Sequence, residues 1–447
     1  MLSRLGLDRP ELRAWAMYDW ANSAMMTIVV TAVFPIYYSR VAASPLAPAD
    51  ATLRFTQATT IALAVVALLS PLLGALADFG AIKKRMLGLF MAVGVTATAL
   101  LFLVQQGDWL LALVLFGLAN IGVNGSYVFY DSLLPHITRD DEIDRVSSAG
   151  YALGYLGGGI MLALALACIL KPALFGLPSG EGLTTAQQTL PSRLAFFATA
   201  VWWTVFSIPL FRRVPEPPLE REPDEPLGAG VVVRAAFGRL GETLRELRGY
   251  RNAFILLLAS LIYSDGINTI IRMATVYGTE LGIRQNAQIA AIVLVQFVGI
   301  PFAFLFGALA TRIGAKRAIL IGLAVYAGIS VLGYFMRTET HFFALAFLVG
   351  TVQGGTQALS RSLFASMIPR HKSGEFFGFY AVFERFGAIL GPLLFGLVLS
   401  ATGSSRNGIL SIISFFVVGA GLLMLVDVGE GQRVARAADA DLRRAAA

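Results

Sequence analysis

Two copies of one short cassette, Gly74-Ala-Leu-Ala-Asp78 and Gly307-Ala-Leu-Ala-Thr311, lie 233 residues apart in a chain of 447. Each closes a long apolar run and is followed by a basic cluster: Lys83, Lys84 and Arg85 after the first, Arg312, Lys316 and Arg317 after the second. Gly154 and Gly158 stand at the same offset from Gly387 and Gly391, and Pro135 matches Pro369 to within one residue of it. One offset kept at three places implies a duplicated unit, two halves of one design in tandem.

What each half is made of follows from its solvent. The chain is 56% hydrophobic and only 14% charged, against about 25% charged in soluble domains. Apolar stretches of about 20 residues recur, each long enough to cross a hydrocarbon core. They must be helices, because lipid leaves any unpaired backbone group unsatisfied. The pattern predicts twelve spans: 14–38, 55–78, 86–106, 109–134, 147–170, 193–211, 252–281, 287–311, 318–336, 341–368, 376–400 and 407–427. The expected fold class is an all-α integral membrane protein with twelve transmembrane helices in two six-helix pseudo-repeats. The halves would be 1–211 and 251–427, joined by a linker at 212–250 and followed by a tail at 428–447.

Of the 35 Lys and Arg residues, twenty-five fall in the termini and the loops on their side, and seven on the opposite side. Arg272, Arg361 and Arg385 lie within spans. The positive-inside rule then puts both termini and both cassette loops in the cytoplasm. The formal charge of +7 is thereby topological, and no nucleic-acid partner is expected. Residues 1–43 have the outline of a secretory signal, but the apolar run is too long and Tyr18-Asp-Trp20 interrupts its start, so a retained helix is expected. The single Cys168 reads as a small core residue. In the linker, Pro215 to Pro226 is proline-rich and acidic and should be extended, whereas 231–248 has the spacing of an interfacial amphipathic helix.

The cassettes resemble the signature loop of the major facilitator superfamily, Gly-x-x-x-Asp-Arg-x-Gly-Arg-Arg, found between helices two and three and helices eight and nine. The glycine after Asp78 comes early, at Gly80, and Thr311 replaces the second acid, while Arg312 and Gly314 match. Met17-Tyr-Asp-Trp-Ala-Asn-Ser-Ala24, Phe34-Pro-Ile-Tyr37 and Phe129-Tyr-Asp-Ser-Leu-Leu-Pro135 are similar to the first and fourth helices of the "unknown major facilitator" family, which includes autophagy-related vacuolar amino-acid effluxers. The resemblance implies a secondary transporter working by alternating access, with an amino acid or small peptide as solute and export as one direction. It also implies a multi-pass protein of a bacterial inner membrane, functional as a monomer, with no cofactor and no metal. A conformational latch would involve Gly74, Asp78, Arg85, Gly307 and Arg312.

Ionisable groups at membrane depth cost at least ~2.5 kcal/mol each, so they face a cavity or a partner. Parallel six-helix repeats place the solute site near the midplane between halves, and in the resembled fold spans one, four, seven and ten line it. All four carry a polar stripe. Span four has Asn120, Asn124, Tyr127 and Asp131 on one face. Span seven offers Asp265, Asn268 and Arg272, and span ten offers Gln353, Gln357 and Arg361. Span one adds Asp19, Asn22 and Ser23, while spans three, nine and twelve have almost nothing comparable. Asn, Gln and Tyr can equally be helix glue at ~0.6 kcal/mol each.

Arg272 and Arg361 can grip a carboxylate by paired hydrogen bonds, and Asp19, Asp131 or Asp265 can meet an ammonium, so both signs suit a zwitterion. Equally, the charges could neutralise one another around an uncharged solute. Carboxylates in a low-dielectric cavity can exchange protons near neutral pH, which makes Asp131, Glu384 and Asp19 the proton-coupling candidates. Glu384 and Arg385 are adjacent and cannot face each other, so structural pairing and solute contact stay open. His136, His341 and His371 read as loop residues rather than relays. A membrane enzyme would need a nucleophile–base set or metal cluster, and no His-x-x-x-His, Cys-x-x-Cys or Gly-x-Ser-x-Gly occurs. A lipid flippase on the same fold is the alternative.

Overall fold

The structure is a computed structural model and describes residues 5–218, 248–386 and 390–446. Among the described residues all regular structure is helical. Eleven of the described helices are long and apolar enough to cross a membrane. We label the helices α1 (Pro10–Ala42), α2 (Pro48–Gly80), α3 (Lys83–Leu100), α4 (Trp109–Ile137), α5 (Ile143–Leu170), α6 (Leu190–Arg213), α7 (Arg251–Glu280), α8 (Gln285–Ile313), α9 (Ala315–Tyr334) and α10 (Glu339–Ser366). The described parts of span eleven are α11 (Ser373–Phe386) and α12 (Leu390–Thr402), on either side of residues 387–389; α13 (Ser405–Met424) is the last span. An amphipathic helix, α14 (Val428–Ala446), follows it. The segment expected to form an amphipathic helix at 231–248 lies almost wholly outside the described residues.

Local chemistry sets many of the boundaries. Proline opens α1, α2 and α6, where its missing N–H costs nothing. Thr338 caps α10 through the His341 N–H at 3.3 Å. The basic clusters after the cassettes stop helices as well. Lys84 Nζ donates to the carbonyls of Phe211 and Val214 at 3.0 and 2.6 Å. Lys316 Nζ donates to those of Met424 and Val426 at 2.9 and 2.7 Å. In each half, then, a lysine of the cassette loop satisfies the orphan carbonyls ending the sixth span.

The altered glycine of the first cassette has a backbone consequence. Gly314 turns the chain from α8 into α9 with φ 87°, and Ala81, 233 residues earlier, makes the corresponding turn with φ 48°. Ala81 is the one non-glycine residue with positive φ among the described residues, and a side chain in that region costs roughly 1 kcal/mol.

Arg9 near the described start of the chain and α14 near its described end lie at one end of the bundle. Arg9 donates to the Ile137 carbonyl at 2.9 Å and pairs with Glu142 in the α4–α5 loop. At the other terminus, Asp439 of α14 accepts from the Arg370 N–H at 3.0 Å in the α10–α11 loop, and Arg436 pairs with Asp140 at 2.9 Å. We call this end the terminal face. The halves meet mainly through α2 against α11 and α5 against α8, pairs that the repeat makes equivalent. The cassette glycines permit both. A Cβ on Gly74 would collide with the Gly374 carbonyl, and one on Gly307 would come within 2.8 Å of the Ser148 Cβ.

Candidate functional site: a polar cavity between the halves

A cavity of about 370 Å³ lies between the two halves, lined from α1, α4, α5, α7, α8, α10 and α11. Of the residues singled out from sequence, Asp19, Ser23, Asn124, Tyr127, Asp131, Asn268, Gln353, Gln357, Arg361 and Glu384 line it. The stripes on α4 and α10 keep to one face, so Asn124, Tyr127 and Asp131 arrive together, as do Gln353, Gln357 and Arg361, whereas Asn120 donates to the Phe116 carbonyl of its own helix at 3.1 Å and is not among the lining residues.

Arg361 on α10 is the centre of the charged end. Its guanidinium donates to Asp131 Oδ1 at 2.9 Å, Asp19 Oδ2 at 3.3 Å, the Ser147 carbonyl at 3.0 Å and Ser147 Oγ at 3.0 Å. Trp15, Tyr151 and Tyr130 pack around it with ring centres 4.8, 4.6 and 5.6 Å away. Tyr130 in turn donates to Asp19 Oδ2 at 2.8 Å. One side chain from the second half thus binds α1, α4 and α5 of the first. An unpaired charge so placed is costly, whereas a charge paired and hydrogen-bonded on every side is tolerated.

Three expectations for this cavity are corrected. Asp265 is buried but is not among the lining residues: its carboxylate accepts from the Gly391 N–H at 2.8 Å and lies 3.4 Å from the Thr269 hydroxyl. It is a buried acceptor for the backbone of α12, a charge held by hydrogen bonds rather than open to a solute. Arg272 is exposed and is also outside the lining. The reason is angular. At 100° per residue, Asp265 and Arg272 share one face of α7, while the lining residues Ser264, Asn268 and Ile271 lie toward another. Asn22 stands behind the wall, with Tyr127 donating to its Oδ1 at 2.9 Å.

Sequence reasoning missed the contributions of α5 and α8. Ser147 and Tyr151, one turn apart on α5, hold Arg361, and Tyr155 and Gln296 line the cavity further along. Their signal was present as polar residues at helical spacing beside Gly154 and Gly158, but it resembles ordinary helix glue. Cys168 is half-buried in α5, and the side chain of Arg385 lies outside the described residues.

Toward the terminal face the cavity is closed. Asp78 accepts from the N–H groups of Gly374 and Glu375 at 3.1 and 2.9 Å, capping α11 across the boundary between halves. It pairs with the buried Lys83 at 2.7 Å. Lys83 Nζ also donates to Ser373 Oγ at 2.8 Å and lies 2.8 Å from His136 Nε2. An ammonium only donates, so that ring nitrogen is the acceptor, and His136 is part of the closure rather than a loop residue. Beyond it, Ser362 donates to Asp144 at 2.5 Å and Arg370 pairs with Asp140 at 3.2 Å. The acid of the latch finds Lys83 rather than Arg85, which is exposed, as are Thr311 and Arg312. Among the described residues the Thr311 hydroxyl reaches only its own helix, at Ala308. In the other direction the cavity extends along α1 to Thr31, which is exposed, through a stretch, Met26–Ala32, wound as π-helix.

The family described as "Vacuole effluxer Atg22 like" matches residues 49–436. The chain belongs to this Atg22-like family of major facilitator proteins. It is 38% identical over 415 residues to the "Uncharacterized MFS-type transporter YxiO" of Bacillus subtilis, covering 92% of this chain and 94% of the relative. "Autophagy-related protein 22" of Yarrowia lipolytica is 27% identical over 316 residues, which cover 65% of this chain and 51% of the fungal protein. Among solved structures, the transporter FucP in its outward conformation superposes with a TM-score of 0.68 at 13% identity, covering 95% of this chain and 99% of FucP. The proton:xylose symporter XylE gives 0.69 at 12% identity over 95% of this chain and 96% of XylE. At that identity the likeness concerns the fold. The Atg22-like protein is therefore a multi-pass membrane protein with the fold of major facilitator transporters.

Proposed function

We propose that this protein is a secondary active transporter that moves a small polar or zwitterionic solute, an amino acid or small peptide, by alternating access with proton coupling. The observation that carries the reading is the Asp19–Arg361–Asp131 cluster. It forms the closed end of a polar cavity and is at the same time a bond between the two halves. With the terminal face in the cytoplasm, as the charge distribution expects, the structure is outward-facing. A carboxylate that takes up a proton gives up its charge-assisted bond to the guanidinium. Protonation at Asp131 then loosens the hold of α10 on α4 and favours parting of the halves at the terminal face. Alternating access needs such differential stabilisation of its two states. The protein acts as a monomer in a bacterial inner membrane on this reading, and transport rather than an enzymatic reaction is its activity.

The test is uptake and counterflow in proteoliposomes across an amino-acid and dipeptide panel, with and without an imposed pH gradient. Transport driven by the gradient is expected, and an Asp131→Asn variant should lose that dependence. If no member of the panel moves under any gradient, the reading fails, and flipping of a lipid becomes the reading to examine.

A further inference from the structure

Asp19, Asp131 and Arg361 form one layer of the cavity and a set of neutral polar groups another, while Glu384 on α11 adds a third carboxylate to the lining. Arg361 and Asp131 lie near the ends of α10 and α4 at the terminal face. Eight residues back along α10 is Gln353, and seven residues back along α4 is Asn124. At 1.5 Å per residue these are levels about 10–12 Å apart. The upper level holds amides and hydroxyls, among them Asn124, Asn268, Gln296, Gln353 and Tyr155. Gln353 Oε1 is buried without a hydrogen-bond partner among the described residues, an acceptor costly to leave empty.

The lower level is unsuited to a carboxylate. Arg361 is engaged by Asp19, Asp131 and both oxygens of Ser147, and aromatic rings surround it. A solute acid could reach it only by displacing one of those carboxylates, beside the other. An ammonium or guanidinium meets the opposite situation, two carboxylates around one protein cation. In an α-amino acid without a charged side chain, the ammonium and carboxylate are borne on one carbon, so such a solute cannot bring only its cation to this level. A cation at the end of a stem of several carbons can, while its remaining polar groups reach the amides above.

We infer that the solute is an elongated cation, a basic amino acid or a small peptide bearing a basic side chain. Its side-chain cation is seated at Asp131 and its backbone ammonium and carboxylate lie among Gln353, Asn124 and Asn268. This rests on the transporter reading above and narrows its substrate class. It also gives Gln353 a specificity role: its orphan oxygen accepts from the backbone ammonium.

The experiment is calorimetric titration of the purified full chain with lysine, arginine, leucine, glutamate and pentylamine, the last having the cation and stem alone. Lysine and arginine are expected to bind at least roughly tenfold tighter than leucine or glutamate, the discrimination of a close charge pair. Gln353→Ala should weaken lysine and leave pentylamine unchanged; Asp131→Asn, with its thermal stability measured in parallel, should abolish the preference for cations. Leucine or glutamate binding as tightly as lysine would overturn the inference while leaving the transporter reading intact. So would equal weakening of lysine and pentylamine in Gln353→Ala, a comparison that stands even if Asp131→Asn fails to fold. Absence of binding by every solute, together with absence of transport, would overturn both.

Discussion

Replacing Asp78 by Asn tests the closure at the terminal face most directly. Asp78 and Lys83 are only 9% and 3% exposed and pair at 2.7 Å, while the carboxylate also takes the N–H groups of Gly374 and Glu375. Asn keeps the shape and one acceptor but removes the charge. Lys83 is then left buried with neutral partners, and stranding one member of a buried pair costs about 3–5 kcal/mol. Ser373 and His136 still accept from Lys83, so the lower end, ~3 kcal/mol, is the working figure. The cap on α11 and the Lys83–Ser373 bond join the two halves, so this cost falls on the state closed at the terminal face. At 1.4 kcal/mol per tenfold, the population ratio of closed to open should fall about 100-fold.

Spin labels at exposed Arg85 and Arg433 in a Cys168→Ser background would read it by pulsed electron–electron distance measurement, as a shift toward longer separations. Transport in proteoliposomes should fall in parallel. Thr311→Ala removes a hydroxyl bonded, among the described residues, only within its own helix and should stay within ~0.5 kcal/mol of the parent. Adding Lys83→Met to Asp78→Asn removes the stranded charge and should restore part of the closed population, the non-additivity expected of contacting residues. The reasoning is refuted if Asp78→Asn leaves the distance distribution unchanged, or if Thr311→Ala shifts it as far.

Arg361→Ala and Arg361→Lys should both abolish proteoliposome transport, since an ammonium cannot reproduce the guanidinium fork; Arg272→Ala, at an exposed position outside the cavity, should retain it. Asp265→Ala should lower the thermal unfolding midpoint by leaving the Gly391 N–H without its buried acceptor, about 1–3 kcal/mol, with the affinity for solute in titration unchanged. Ala81→Gly should raise stability by roughly 1 kcal/mol by relieving a left-handed side chain, measured as a higher midpoint with wild-type transport.

Much of this architecture is legible in the residues because lipid makes the rules strict. A backbone with no water to bond must be helical, so apolar length alone locates the spans. Duplication of the cassette identifies the two halves, and its glycines prove to be points of close approach between them. On α4 and α10 the polar spacing holds to one face, which is why spacing alone groups Tyr127 with Asp131 and Gln357 with Arg361, and the cavity wall keeps both groups. On α7 the same kind of spacing straddles two faces, and Asp265 goes with the one that looks away from the cavity. A one-dimensional period cannot say which of two neighbouring faces looks inward, because that depends on how the helix is rotated against its neighbours.

The sequence by itself thus determined membrane-spanning helices, their pairing into repeats, and the set of side chains able to carry charge between them. Only the tertiary structure decided how those charges are used. The two arginines expected to grip a solute became one exposed residue and one engaged by Asp19, Asp131 and Ser147, and the acid of the latch found Lys83 and the start of α11 instead of Arg85. Hydropathy is a property of each residue in its solvent and survives in the order of the chain. Which carboxylate meets which cation depends on the relative rotation and approach of helices more than 200 residues apart, and that is set by packing.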